Sequence, residues 1–364
     1  MQKKIIALAV AAAFSAPAFA ADVNMYGIVD AAVARVSNSG QKSDMLAVSG
    51  GLSGSRVGIK AVEELDGGMM AVVVLEYALD TQTSSTIGAA RQEMLALAGD
   101  FGTVATGYLQ TTAYDFAAKF DPAFGSSVSP WQNMTKGNPL FLVGASATAG
   151  RAPRALAYIS PDMGGVTVAV NHSTSVVITT PALGTDLGNL GVDAAAGDPK
   201  ITATLLSVTY TGGPLTVGGV YAKASSAAAV LNDQTEMALG ASYDLGVAKL
   251  MGTYQTTKNG AAGAEADKIL TFSGVIPVGP GAIALSYAKA TIAAGAGVDG
   301  NGSGLTVAYL QGLSKTVTAY GALSRVSNGA DTRAFSVFNG GVANANQDLG
   351  ASSSLIAVGL KKVF

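Results

Sequence analysis

Asn171-His172-Ser173 is the place in this 364-residue chain where residue types alone suggest covalent chemistry. Hydrolysis by a serine nucleophile needs a histidine base and an orienting group converging on one point. Neighbouring residues on a strand point to opposite faces, so this tripeptide cannot form that constellation by itself. His172 is the only histidine, and one imidazole does not make a metal cluster. Cysteine is absent, which removes disulfides and thiolate metal sites. No glycine-rich phosphate cradle opens a helix, so nucleotide chemistry has no support. The expectation is therefore no catalytic residue, no metal site and no cofactor.

What chemistry remains is that of fixed charge, and charge is scarce. Only 13% of residues are charged, about half the fraction usual in a soluble domain, while 49% are apolar. Yet no segment after the first twenty residues holds eighteen unbroken apolar positions, which excludes membrane-spanning helices. A barrel that presents every second strand residue to lipid satisfies both facts. The amino terminus agrees. Lys3 and Lys4, the apolar run Ile5 to Phe14 and Ala18-Phe19-Ala20 have the three-part pattern of a secretory signal. Residues 1–20 are thus expected to be removed, leaving 21–364 as one outer-membrane barrel domain. The signal holds two of the 22 basic residues and none of the acidic ones, so the mature chain has 20 against 24, a net charge near -4. Such a chain is a poor partner for nucleic acid, which is held by a basic surface.

The elements that position the charges follow from the turns. Seven tight turns can be read, at 65–68, 99–102, 161–165, 211–214, 244–246, 278–281 and 311–314. Each combines glycine with aspartate, proline or another turn former that supplies the backbone angles of a hairpin. Eight longer connections alternate with them, at 37–51, 82–89, 110–150, 173–200, 224–233, 258–264, 291–302 and 325–353. Together they join sixteen antiparallel strands with both termini at the short-turn, periplasmic end. Met237, Leu239 and Tyr243 alternate with Glu236 and Ser242, and Ala71, Val73, Leu75 and Tyr77 alternate with a face holding Glu76. Leu305, Val307 and Tyr309 do so with Thr306 and Ala308. Tyr26, Tyr77, Tyr158, Tyr210, Tyr243, Tyr287 and Tyr309 are placed to form aromatic girdles. The strands at 90–98 and 201–210 alternate poorly and their faces stay unassigned.

Several stretches resemble the trimeric porins of Neisseria and Burkholderia-type bacteria. They are Val23-Asn24-Met25-Tyr26-Gly27-Ile28-Val29-Asp30, Gly54-Ser55-Arg56-Val57-Gly58-Ile59-Lys60, Arg91-Gln92, Leu97 to Val104, Tyr158-Ile159-Ser160-Pro161, Gly240 to Leu250 and Val358 to Phe364. The resemblance runs from end to end. It implies a homotrimer of sixteen-stranded barrels that passes small hydrophilic solutes and ions, set in outer-membrane lipid and lipopolysaccharide. It also implies that Phe364 is the aromatic signal read by the barrel-assembly machinery, and that the third extracellular loop, 110–150 here, folds inward. A forty-residue connection without strands suits a functional loop.

The same resemblance places Arg56, Arg91 and Arg151 at the family's constriction arginines and Asp115 at its acidic loop position. Fixed cations in a narrow, partly desolvated aperture lower the barrier for anions. Lys60 shares the parity of Arg56, Asp121 is a second loop carboxylate, and Asp30 and Glu76 face the lumen as partners for wall arginines. Two departures weaken the positive wall: Tyr108 and Ala157 stand where the family commonly has arginine. A general diffusion channel with weak anion preference is the leading reading. A substrate-selective channel and a structural or adhesive barrel are the alternatives.

Overall fold

The computed structural model describes residues 22–82, 88–123, 125–136, 142–144, 150–174, 201–226, 233–261, 263–293, 297–337 and 348–364. The expected signal and most of the connection at 173–200 lie outside them. Seventeen strand segments form a single sheet: β1 (Asp22–Asn38), β2 (Asp44–Ser49), β3 (Arg56–Glu64), β4 (Met70–Ala78), β5 (Ala90–Gly99) and β6 (Gly102–Gln110), then β7 (Arg151–Ile159), β8 (Val166–Ser173), β9 (Ile201–Gly212), β10 (Leu215–Ser226), β11 (Gln234–Asp244) and β12 (Lys249–Asn259), and last β13 (Asp267–Val278), β14 (Gly281–Thr291), β15 (Gly302–Gly312), β16 (Val317–Asn328) and β17 (Ser352–Val363). From β3 onward each pairs antiparallel with the next, and β1 pairs with β17, so the sheet closes. β2 pairs with Ala31 to Val36 of β1 and β3 with Asp22 to Ile28, which makes them two halves of one stave. The result is a closed antiparallel barrel of sixteen staves. Closure leaves no edge strand, the condition for putting a sheet in lipid.

All seven tight turns fall between the strands that the sequence assigns them to. The first long connection is different. Asp44–Ser49 is strand, so the connection shortens to 39–43 and the interruption moves to residues 50–55, opposite Val29 and Asp30 of β1. Asp30 holds that interruption in place. Its carboxylate accepts from the amides of Leu52 and Ser53 at 3.0 and 2.7 Å and from the Tyr320 hydroxyl at 2.6 Å. It is fully buried, and its carboxylate meets these groups, not a wall arginine; the expected pairing is corrected by this network.

Alternation sorts the remaining side chains. Met237, Leu239, Leu305 and Val358 are at least half exposed on the outer wall, while Glu236, Ala238, Thr306 and Ala357 are buried inside. β9 alternates cleanly in space: Leu206, Val208 and Tyr210 point out, Ala203, Leu205 and Ser207 point in. Its pattern was illegible because the inner wall there is dry. On β5 Leu95 and Leu97 point outward, and a register shift opposite Glu76 and Tyr77 breaks the pattern. Tyr158, Tyr210, Tyr243, Tyr287 and Tyr309 lie on the outside, joined by Tyr221 and Tyr254. Tyr26 turns inward instead, donating to Glu76 at 3.1 Å.

What dries the inner wall is the connection between β6 and β7, which carries helices α1 (Thr112–Phe120) and α2 (Pro130–Lys136). Thr111 caps α1 by accepting from the amide of Tyr114. Ala113, Phe116, Ala117 and Phe120 recur at helical spacing and are all buried, against β8 to β12. Phe120 seats on Gly240, where an added Cβ would meet its ring at 2.6 Å. α2 packs on β13 to β16, and Trp131 donates to Gln255 on β12 at 2.7 Å. Leu142 and Val143 donate their amides to the inward carboxylate of Glu236 at 2.6 and 3.0 Å. Thr306 donates to the carbonyl of Val128 at 2.6 Å. These partners lie on the inner faces of β11, β12 and β15, across the barrel from the strands that launch the loop.

Candidate functional site

Glu76 is the pivot of the charged cluster. It projects inward from β4, 5% exposed, and a carboxylate so enclosed must be compensated. Arg91 Nε binds its Oε1 at 2.7 Å, Arg56 Nε lies 3.6 Å from Oε2, and Tyr26 supplies the hydroxyl bond. Each arginine reaches this point by a local irregularity. In β5 the register shifts so that Glu76 pairs with Gln92 and Tyr77 with Ala90, leaving Arg91 as the extra residue of a bulge. A bulge re-aims a side chain that strict alternation would send to the other face. Arg56 follows the interruption at 50–55, and its Nη1 donates to the carbonyl of Gly54 at 3.1 Å.

Arg151 begins β7 and is nearly buried. Its Nε donates to the carbonyl of Arg91 at 2.8 Å, and its guanidinium lies 4.8 Å from the centroid of the Tyr114 ring. The β6–β7 ladder slips just beyond it, and Arg154 there takes a left-handed φ of 49°. Asp115, on the face of α1 that the wall does not cover, accepts from Gln110 Nε2 at 2.5 Å. Arg56, Glu76, Arg91, Gln92, Gln110 and Tyr114, with Ser53 and Gly54, line one polar recess of about 370 Å³ between wall and loop. Gln92, Gln110, Tyr114 and the 53–54 turn were not singled out in the sequence. Gln92 and Gly54 stand beside Arg91 and Arg56 in the resembling stretches and Tyr114 precedes Asp115, while nothing in the sequence marks Gln110 or Ser53.

The other named residues disperse. Lys60 is exposed on the inner face of β3, paired in register with Val74, two residues nearer the periplasmic end than the Gly58–Glu76 pair. Asp121 is corrected: it is buried at the end of α1, accepting from Ser129 at 2.5 Å and from the amide of Ala123 at 2.9 Å. Burial pushes its carboxyl above the usual range, against those two bonds. It fastens the loop to itself and does not meet the aperture. Tyr108 stands opposite Glu93 in the β5–β6 ladder, and Ala157 is a buried inner-wall residue opposite Asn171. The tripeptide at 171–173 splays apart. Asn171 accepts from the amide of Thr112 at 2.7 Å, Ser173 donates to the carbonyl of Pro153 at 2.6 Å, and the His172 ring meets Thr204 at 2.9 Å on the outer surface.

A closed sixteen-stave barrel with apolar strands outside and a charged, loop-lined recess inside defines the class of outer-membrane channels. Residues 7–331 match the family model described as Gram-negative porin, and the chain belongs to that family. It is 27% identical over 377 residues to outer membrane porin protein 32 of Delftia acidovorans, with both chains covered in full. It is 29% identical to major outer membrane protein P.IB of Neisseria gonorrhoeae over 181 residues, 48% of each chain. Among solved structures, an anion-selective porin from Comamonas acidovorans superposes with a TM-score of 0.78 at 26% identity, covering 94% of this chain and all of that one. The trimer form of OmpT from Vibrio cholerae shares the fold at 15% identity, with a TM-score of 0.65 over 95% of this chain. The protein is thus a porin of the outer membrane.

Proposed function

We propose that this porin is a general diffusion channel with weak anion preference, whose narrowest zone is formed by Arg56, Arg91 and Arg151 facing Asp115 on the α1 loop. The observation that carries this reading is the convergence of three guanidiniums on Glu76, the Arg91 carbonyl and Tyr114. Three cations against two carboxylates leave the zone positive in a chain that is negative overall. The relative whose solved structure is titled anion-selective supports the sign. Residues 1–20 serve as the export signal in this reading, and no residue is given a catalytic role. The test is a planar-bilayer recording across a salt gradient, which returns conductance and reversal potential together. A closed or strongly cation-selective channel overturns the proposal.

A pH dependence follows. Asp115 keeps contact with solvent, yet the wall and helix around it raise its carboxyl above the ordinary range. The bond from Gln110 and the charges of Lys119 and Arg151 oppose that rise. As pH falls through the raised value, one negative charge leaves the aperture and anion preference increases. The change should begin at a higher pH than an ordinary aspartate, near 4, would give. Asp115→Asn should show the low-pH reversal potential already at about pH 7 and respond less to acid.

Assembly is read in the same way. Phe364 exchanges backbone hydrogen bonds with Gly27, at 2.9 and 3.1 Å, and its ring lies where a Gly27 side chain would project. Gly27 is therefore occupied by the chain's own terminus and is not free for subunit packing. We assign Phe364 as the signal for the assembly machinery, and its deletion should cut membrane yield several-fold while leaving the melting point of the folded fraction within a few degrees. Equal yield refutes it. The homotrimer is supported by the Tyr77–Glu93 pair at 2.7 Å, which puts on the outer wall a carboxylate that lipid would not solvate. Sizing in mild detergent should give a trimer; monomers alone reject it.

A further inference from the structure

A second recess, of about 370 Å³, opens on the inner wall at the short-turn end and shares no lining residue with the charged cluster. Strands β10 to β12 build it. Gly218 and Gly240 are partners in the β10–β11 ladder, and α1 sits on both: an added Cβ would meet Phe116 at 3.6 Å from the first and Phe120 at 2.6 Å from the second. Two residues nearer the turns, on the same face, Thr216 and Ser242 are paired in turn. The next inward step brings Asp244, opposite Lys249 on β12. Gly213, Pro214 and Gly246 complete the lining, so the recess lies beneath α1 on the periplasmic side.

Ser242 is the observation that points to a ligand. It is 3% exposed and its Oγ has no hydrogen-bond partner, whereas the Thr216 hydroxyl lies 3.3 Å from that of Thr211. An enclosed hydroxyl left unmatched costs about 1–3 kcal/mol, and a solute that supplies the bond relieves that cost. The two charges are not matched by each other either. Register places Asp244 and Lys249 directly opposite, yet among the described residues they form no ion pair. Asp244 accepts from the Gly246 amide at 2.8 Å, and Lys249 is exposed. Among the described residues these two are the only charges in the short-turn halves of β9 to β13.

A carboxylate, an ammonium and an unmatched hydroxyl on one wall suit a solute that carries both charges and a polar group. We propose that this recess binds a zwitterionic amino acid with a polar side chain, its ammonium on Asp244, its carboxylate on Lys249 and its side chain on the Ser242 hydroxyl, which both donates and accepts. Cross-strand partners stand about 4.5–5.5 Å apart at Cβ, and the flexible lysine stem lets its ammonium adjust, so one small molecule bridges both charges. A purely anionic solute is repelled by Asp244 and a purely cationic one by Lys249, so the pair selects against each. The inference rests on the channel reading only for the route by which the solute arrives.

The experiment is saturation-transfer NMR on the detergent-solubilised protein, with L-glutamine as the probe. Glutamine should give a saturable signal. N-acetylglutamine, which lacks the ammonium, and glutamine α-amide, which lacks the carboxylate, should each bind about fivefold more weakly, the loss of one partly exposed ion pair. Asp244→Asn keeps an acceptor for the Gly246 amide, and Lys249→Gln keeps much of the stem; each should weaken glutamine by the same factor. Lys315→Gln, in the turn before β16, should leave it unchanged. Ser242→Ala should weaken binding severalfold without lowering the melting point, since it removes a hydroxyl that nothing in the barrel uses. A glutamine signal that does not saturate, that N-acetylglutamine matches, or that survives both charge substitutions overturns the site. The wild-type ligand series decides alone if a variant fails to fold. Bilayer conductance of the same preparation separates the two readings: a protein that conducts without binding glutamine fails the recess and not the channel.

Discussion

Replacing Arg91 with serine is expected to move the reversal potential strongly toward cations, and replacing Glu76 with glutamine to move it the other way. Both substitutions act on one ion-paired group. With Arg91 gone, Glu76 keeps only Arg56, whose Nε stands 3.6 Å away, beside a bond from Tyr26. A unit charge acts on an ion 5 Å away with about 0.8 kcal/mol even at the dielectric of water. That energy favours an anion and opposes a cation, so removing the charge should lower the anion-to-cation permeability ratio by about tenfold at low salt. The effect should fade near 1 M, where the Debye length shrinks to about 3 Å. Glu76→Gln deletes a negative charge and should raise the ratio. It also releases Arg91 and Arg56 from their shared anchor, so open-channel noise should increase. Recordings of both variants at two salt concentrations decide the matter. If neither moves the reversal potential, the cluster only holds β3, β4 and β5 together.

Why these residues meet was only partly legible in the sequence. The sixteen staves, their turns and their order were readable because a hairpin turn needs particular residues and a lipid-facing strand needs period two. Irregularity is what escaped. Arg91 would face lipid if β5 alternated strictly, and only the bulge opposite Glu76 and Tyr77 turns it inward. A connection at 37–51 ending on Gly50-Gly51 hides both the strand Asp44–Ser49 and the break that runs on to residue 55. The function of the break depends on Asp30 and Tyr320, 290 residues apart in the chain. Leu205 and Ala203 hid the phase of β9, since apolar residues stood on both faces. They do so because α1 covers the inner one, and apolar residues under a helix docked from a distant segment cannot be told, in the strand's own sequence, from those that face lipid.

That docking gives the second large effect, and Trp131→Ala is the substitution that exposes it. Trp131 is fully buried inside the barrel, with Phe116 edge-on at 6.3 Å and its indole N–H on Gln255. Truncating such a residue costs roughly 3–5 kcal/mol, and here it also strands the Gln255 acceptor. The strand ladders do not involve Trp131, so the barrel should still close and insert. The loss should fall on the α1–α2 loop, whose hold on the far wall then rests on Phe120, Met134, the Thr306 bond to the Val128 carbonyl and the amides of Leu142 and Val143 on Glu236. A loosened loop widens the aperture. Single-channel conductance should rise, current noise should grow, and liposomes should swell several times faster in a trisaccharide that the wild type nearly excludes. Glu236→Ala should act in the same direction by removing the acceptor for both amides. Together the two should exceed either alone, unless one anchor already releases the whole loop, in which case the double variant matches the stronger single one. Unchanged solute exclusion in Trp131→Ala, with the protein folded, would mean that the loop is not what narrows the channel.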